Sequence, residues 1–292
     1  MVACDGDIPL LSIVIANYNY GRFLEEAIQS VLSQSCQDFE LIICDAASTD
    51  NSVDVIREYE DKLAWWCSEK DGGQSAAFNK GFSHATGRFL TWLNADDVMM
   101  PRTIEKLKIA AERYPRCEWF VGGVLWLDKD MRVIRCGRGR PFSERRFQEG
   151  VVSVWGPSSF FTHRMLDEVG GVDERFHYTM DSDLWFKFVR RLGLRYRPCC
   201  HYAWGLRMHE DAKMSGHNFM AGVKSCTTEE ERMRAAGKWN LVEQEAQWMY
   251  GDFVRKKSSL LSRILSASWL SVGLAKIDTL RFRASSYREA FS

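Results

Sequence analysis

Arg88-Phe-Leu-Thr-Trp-Leu93, followed at once by Asn94-Ala95-Asp96-Asp97, is the stretch on which the reading of this chain turns. The apolar run reads as a buried strand, and acids at the end of such a strand are expensive packing material. A pair of carboxylates there is expected to face a cleft and meet a cation or another polar partner. An Asx-x-Asp hook supplies what a hard divalent ion needs: oxygen ligands two residues apart on one strand end, with phosphate oxygens left to complete the shell. A plainer reading stands beside it. Pro101 is a helix starter and a helical pattern runs from Thr103 to Tyr114, so Asp96 or Asp97 also suits a helix N-cap.

Upstream of the hook, apolar runs alternate with amphipathic helices, the pattern of parallel βαβ units. Strands are expected at Leu10 to Ile15, Phe39 to Cys44 and, briefly, Ala64 to Cys67. Helices are expected over Arg22 to Gln34, Ser52 to Glu60 and Gln74 to Ala85. In Arg22 to Gln34, for example, Phe23, Leu24, Ala27, Ile28, Val31 and Leu32 fall at helical spacing. In open sheets of this kind ligands lie outside the carboxyl ends of the strands. There the sequence places Asn17-Tyr18-Asn19, Asp45, Asp71-Gly72-Gly73-Gln74, and Asn94 to Asp97.

Composition sets the frame. The 292 residues suffice for a large α/β domain with an appendage, and 46% hydrophobic residues with 11 Trp provide ample core material. The 39 basic and 39 acidic residues cancel, which argues against a general nucleic-acid partner. Nine scattered cysteines without a C-x-x-C pair point to reduced thiols rather than a disulfide scaffold or a zinc site. Met1 to Pro9 lacks a basic leader, and no run of 18 uncharged apolar residues occurs, so a cytoplasmic setting without a bilayer span is expected.

Several strand-end residues carry two readings each. Tyr18 and Asn19 suit a turn, and an aromatic beside amides equally suits a planar base. Ser48-Thr49-Asp50 looks like a helix cap, which makes Asp50 structural. Asp45 is left unexplained by capping and suits a ribose hydroxyl or a base edge. Gly72-Gly73 serves as a tight turn at least. No G-x-G-x-x-G follows the first strand and no G-x-x-x-x-G-K-[ST] occurs, which disfavours a dinucleotide dehydrogenase and a phosphate-loop ATPase.

Taken together, Ser12 to Asn19, Phe39 to Asn51, Ser68 to Ser75 with Phe78-Asn-Lys-Gly81, and Ala85-Thr-Gly87 leading to Trp92 to Asp97 resemble a family-two glycosyltransferase of the GT-A fold. The resemblance covers about residues 10 to 215. It implies an α/β fold with a Rossmann-like, mostly parallel central sheet flanked by helices, followed by a helical C-terminal extension. Residues 1–215 would form the GT-A domain, about 1–100 its nucleotide-sugar half and about 101–215 its acceptor half, with 216–292 as the extension. A nucleoside-diphosphate sugar, a UDP-sugar first, would lie across the strand ends near Ala16, Asn17, Tyr18, Asp45, Gln74, Asn94 and Asp96. Mg²⁺ or Mn²⁺ would be held by Asp96, with Asn94 and His209 as further ligands. Two departures bear on this. Ala46 and Ala47 stand where many members carry an acid or Gly followed by Gly, and Asn94 replaces an Asp, which leaves one charge fewer on the metal.

The second half has to supply a base and an acceptor site. Transfer of a sugar to a hydroxyl with inversion needs a carboxylate to take the acceptor proton. Tyr178-Thr-Met-Asp181-Ser-Asp183-Leu-Trp-Phe186 offers one at a helix start, where capping and the macrodipole favour Asp in any case. The segment looks like the family's Glu-Asp motif with Met180 in the Glu place, which makes Asp181 the catalytic base. Trp155, Met180 and Asp183 are assigned to the acceptor side, Trp155 either stacking on a sugar or packing under a loop. His209, in Arg207-Met-His209, falls where many relatives place a His near the metal or the diphosphate. The absence of a Gln-x-x-Arg-Trp segment points to one sugar per encounter rather than processive synthesis.

Asp252 to Ser292 carries eight Lys/Arg against three Asp/Glu around Leu260 to Leu274. Leu261, Leu265, Trp269 and Val272 would share one helical face. That arrangement suits an anionic membrane surface, the core, or a second subunit in a homodimer. The resulting expectation is a metal-dependent, inverting hexosyltransferase that adds one sugar to a glycan or lipid-linked acceptor in cell-surface polysaccharide assembly, at the inner face of the membrane. The alternative is a sugar-nucleotide-binding or scaffold protein without activity, for which Asn94 and Met180 speak.

Overall fold

The computed structural model describes residues 8–143 and 154–212. The expected C-terminal extension, with the basic amphipathic stretch and any membrane or dimer contact it makes, lies outside the described residues. The first half alternates strand and helix: β1 (Leu11–Asn17), α1 (Gly21–Leu32), β2 (Phe39–Asp45), α2 (Ser52–Glu58), β3 (Trp65–Ser68), α3 (Gln74–His84) and β4 (Phe89–Asn94). Each agrees with the sequence expectation to within a few residues. The apolar strand runs and the 3.6-residue helical stripes are local signals that packing has no reason to override here.

The second half is less regular. It contains β5 (Val98–Met99), α4 (Thr103–Arg113), β6 (Trp119–Val121), β7 (Val124–Leu127), β8 (Val133–Gly137), β9 (Ser159–Thr162), α5 (His163–Val169), α6 (Met180–Leu192), β10 (Arg197–Pro198) and β11 (Trp204–Arg207). A seven-stranded sheet runs β10-β6-β9-β4-β1-β2-β3, and a four-stranded one runs β5-β11-β7-β8. In the large sheet β1 pairs in parallel with both β2 and β4, and β9 is antiparallel to β4 and β6. Strand order therefore reverses between β1 and β4. In open α/β sheets ligands bind in a crevice at the carboxyl ends of the strands, at such a switch point.

Two apolar layers sandwich the large sheet. One packs α1, α2 and α4 against Leu11, Ile13 and Ile43; the other packs α3, α5 and α6 against Val14, Leu90 and Trp92. Trp92 and Trp185 stack at 5.5 Å with planes 5° apart, and Trp119, Phe161 and Phe188 close around them. This cluster locks α6 onto β4. Gly81 marks where α3 lies closest to the sheet, because a Cβ there would sit 2.3 Å from Val14 Cγ1. Gly81→Ala is expected to lower stability by about 1–3 kcal/mol through overpacking, against a helix-propensity gain of at most about 1 kcal/mol. A denaturant midpoint unchanged from wild type would show that the α3–sheet spacing is not set by this contact.

The N-cap reading of Asp96 and Asp97 is corrected by the structure. Arg102, at φ 61°, occupies the N-cap of α4 and makes no side-chain capping bond. The orphan N–H groups of Thr103 and Ile104 are met instead by Gln34 Oε1 at 2.9 and 3.4 Å. A buried glutamine from the end of α1 thus does the capping, and the two acids are left for other work.

Candidate active site at the carboxyl ends of β1, β2 and β4

Strand alternation puts Trp92 and Asn94 on one face of β4, with Asn94 one pleat nearer the strand end and in register with Ala16 of β1. The hook then turns back on itself, Asp97 N–H donating to Asn94 O at 3.1 Å. Asp96 projects from that turn, its side chain 13% exposed, and its Oδ2 lies 3.0 Å from His209 Nε2. The structure thereby brings together two residues 113 positions apart that sequence reading had assigned to one metal.

His209 is held from several sides. It follows β11, sits 4.5 Å from the Phe23 ring and 5.9 Å from Tyr20, both at the start of α1. Arg207, buried, pairs with Glu26 at 2.6 Å and lies over Phe23. Tyr20 Oη donates to Asp211 O at 2.8 Å, and Arg22 pairs with the Asp211 carboxylate. Burial, then the charge of Asp96, pushes the Tyr20 phenol well up from its ordinary range. None of Phe23, Glu26, Arg207 or Asp211 was assigned to the site from the sequence, where Phe23 reads only as part of the apolar stripe of α1. Only the tertiary contact between the 207–211 segment and α1 reveals them.

Asn94, expected as a metal ligand, is engaged in hydrogen bonds within the hook. Its Nδ2 donates to Asp97 Oδ2 at 2.7 Å while its Oδ1 accepts from Gln74 Nε2 at 2.9 Å. One of the amide oxygen's two acceptor positions is therefore taken, and Asn94 and Gln74 link the hook to the start of α3. Asp97 is 1% exposed, and burial, followed by the neighbouring Asp96 charge, raises its carboxyl well above the usual range.

The expectation for Asp45 is corrected. It accepts from Asn17 Nδ2 at 2.7 Å, Ser48 N at 3.0 Å, Ser68 Oγ at 2.6 Å and the Ser48 hydroxyl. With four donors on its two oxygens and 1% exposure, it ties the ends of β1, β2 and β3 together and has no acceptor position left for a ribose or base. Asn17 is equally buried, and its Oδ1 has no hydrogen-bond partner. Ala47 lies at φ 57°, a left-handed position that favours glycine and costs an alanine about 1–2 kcal/mol. Asp50 does serve the caps: it accepts from Ser52 N at 3.0 Å and Gly21 N at 2.9 Å, at the starts of α2 and α1.

Tyr18 stays 59% exposed beside this tied-down floor. With Asn19, Tyr20, Arg22, Asp50, Asn51 and Asp211 it lines an open hollow of about 580 Å³. Ala16, half-buried, forms part of the strand end beneath.

On the acceptor side, Asp181 lies in the first turn of α6, after Thr179 at the N-cap. Its Oδ1 accepts from Ser182 N at 2.6 Å, and its Oδ2 would lie 3.5 Å from a Cβ on Gly156, which also abuts Trp92. The carboxylate is thus carried to the same end of β4 as the hook. Two acceptor-side expectations do not survive. Met180 is 7% exposed and puts its Sδ 3.0 Å from the Ser75 hydroxyl in the core. Asp183, which burial shifts upward, pairs with Lys187 at 2.6 Å on the face of α6 away from Asp181. Trp155 meets Trp126 edge to face at 5.3 Å and packs, half-buried, against the core, which is its plainer role.

Among the described residues no three His, Cys, Asp or Glu side chains converge on a metal-sized site. Asp96 and His209 nevertheless fit as a partial shell. His209 aims Nε2 at a carboxylate, and its buried Nδ1 has no partner. Two protein ligands with the remaining positions left open suit an ion completed by phosphate oxygens.

Residues 12–148 match the family described as Glycosyl transferase family 2. They are a family 2 glycosyltransferase domain. The glycosyltransferase match continues in curated relatives. An uncharacterized glycosyltransferase of Rickettsia prowazekii is 29% identical over 189 residues, 62% of this chain and 59% of the relative. One from Nostoc is 42% identical over 100 residues, 33% of this chain and 31% of the relative. The chain thus spans between about a third and three fifths of these relatives' length.

Solved structures agree on the fold. S. aureus TarS 1–349 in complex with UDP has a TM-score of 0.54 at 16% identity, covering 96% of this chain and 91% of that one. The mannosyltransferase PcManGT of Pyrobaculum calidifontis, in complex with GDP-Man and Mn²⁺, has a TM-score of 0.51 at 16% identity, covering 97% and 86%. At such identity the likeness shows the GT-A fold alone.

Proposed function

We propose that this chain transfers one sugar from a nucleoside-diphosphate sugar to a hydroxyl of an acceptor, with inversion at the anomeric carbon. The observation that carries the reading is the Asp96–His209 contact of 3.0 Å at the β1/β4 switch point. The base would rest against Tyr18 over the Asn17–Asp45 floor, and the diphosphate would run toward Asp96. A divalent ion held by Asp96 and His209 would stabilise the charge developing on the departing diphosphate. The imidazole favours Mn²⁺ over Mg²⁺ in that place. Asp181 would take the acceptor proton as the new bond forms, and Gly156 beside it leaves room for the incoming hydroxyl.

A UDP-sugar is the donor put first, since solved relatives of this fold bind UDP and UDP-GlcNAc, with GDP-Man as the second choice. A glycan or lipid-linked acceptor in cell-surface polysaccharide assembly rests on the family resemblance. No helix among the described residues is long and apolar enough to cross a membrane. Membrane contact would fall to the basic stretch after Asp252.

The test is nucleoside-diphosphate release from a panel of UDP-, GDP- and dTDP-sugars, with Mn²⁺, with Mg²⁺ and with EDTA. Slow release from one donor that stops in EDTA is expected. Neither release nor calorimetric binding of any donor would overturn the reading.

A further inference from the structure

The hydrogen bonds of Asp97 have a use that capping and packing leave unexplained. A carboxylate that is 1% exposed is a costly choice for packing, and an apolar side chain of similar size would serve as well or better. Asp97 Oδ2 accepts from Asn94 Nδ2 at 2.7 Å, and its Oδ1 accepts from Arg207 N at 2.9 Å. The second bond replaces a missing rung. The antiparallel pairing of β5 and β11 ends at Val98 opposite Gly205, so β5 offers Arg207 no carbonyl.

We propose that Asp97 is a positioning residue that clamps the two backbone segments carrying Asp96 and His209, and so sets the spacing of the two ligands. The inference rests on the metal reading given above and deepens it. Asp96 stands inside the turn that Asp97 closes onto Asn94, and His209 stands two residues beyond the Arg207 N–H that Asp97 holds. Asn94 extends the clamp to Gln74 at the start of α3, so the hook is braced on both sides. Partners that orient metal ligands without touching the ion typically govern affinity by about 10–100-fold.

The experiment measures Mn²⁺ binding in the presence of UDP or GDP, by the loss of the free Mn²⁺ paramagnetic resonance signal, well below the unfolding temperature. Asp97→Ala is expected to raise the Mn²⁺ Kd by about 10–100-fold, because it frees Arg207 and Asn94 together. Asp97→Asn is expected to recover most of that loss: an amide oxygen still accepts from Arg207, and Asn94 and Gln74 can turn over to restore the chain. If Asp97→Ala does not fold, Gln74→Leu, at the half-buried outer end, decides, with a smaller but measurable rise in Kd expected. Wild-type Kd values in the folded variants would overturn the clamp and leave the metal reading standing. Absence of Mn²⁺ binding by the wild type with either nucleotide would overturn the metal reading, and the clamp with it.

Discussion

Asp96→Ala is expected to cut nucleoside-diphosphate release by about 10²–10³-fold in kcat, a loss of roughly 3–4 kcal/mol of transition-state stabilisation. The physical reason is that the leaving diphosphate gathers negative charge as the glycosidic bond breaks, and a divalent cation offsets it without a proton. Asp96 is the acid at the hook that is both partly exposed and in contact with His209, so the other acid there, Asp97, does not take its place. Asp97 is buried in its own bonds, and Asn94 has its oxygen on Gln74. The fold should tolerate the change, since truncating Asp96 removes its contact with His209 and opens no core cavity. Release at comparable rates from variant and wild type under saturating Mn²⁺ would remove Asp96 from the metal site.

Asp181→Asn is expected to slow sugar transfer to an acceptor by about 10²–10⁴-fold, the usual contribution of a positioned general base. Binding of the nucleoside diphosphate should stay within about twofold of wild type, because Asp181 belongs to the acceptor side of β4. The pH profile separates a base from a mere contact. In the wild type kcat/KM falls as pH drops and the carboxylate takes up a proton, so activity belongs to the high-pH side of that limb. An amide cannot titrate, so the share of that limb that belongs to Asp181 should go along with the rate, leaving the share set by metal binding at Asp96 and His209. A variant that transfers sugar at the wild-type rate would place the base elsewhere.

The alternation of strands and helices from Leu11 to Asn94 was legible because it rests on local periodicity, and the placement of the site followed from it. Polar residues at strand ends converge in any open parallel sheet of this order. Asp96 and His209 were assigned to one metal by the family resemblance, and they meet in the fold. Asp45 and Asn94 were named for the same reason, and the fold spends them on other bonds. Side-chain type and strand position look alike for a carboxylate left open and one saturated by Asn17, Ser48 and Ser68. The donors that decide between the two come from three different segments.

The second half was less legible. Met180 in a Glu place looked like an acceptor contact, yet the thioether fills a core gap beside Ser75. Asp183 looked like a supporting acid, yet Lys187, one helical turn on, pairs with it. Gln34 capping α4 had no local signal, since donor and acceptor lie about 70 residues apart.

By itself the sequence determined the α/β class, the order of the elements in the first half, the end of the sheet where chemistry is possible, and the two acids, Asp96 and Asp181, that the proposed transfer would use. These are properties of short windows, in which apolar spacing and strand-end polarity are written residue by residue. Only the tertiary structure decided which polar atoms remain available. It brought His209 to Asp96 across 113 residues, turned the Asn94 oxygen to Gln74, and buried Asp97 between the hook and Arg207. A hydrogen-bonding atom has few positions to give, and whether they are taken depends on neighbours that the chain supplies from far away.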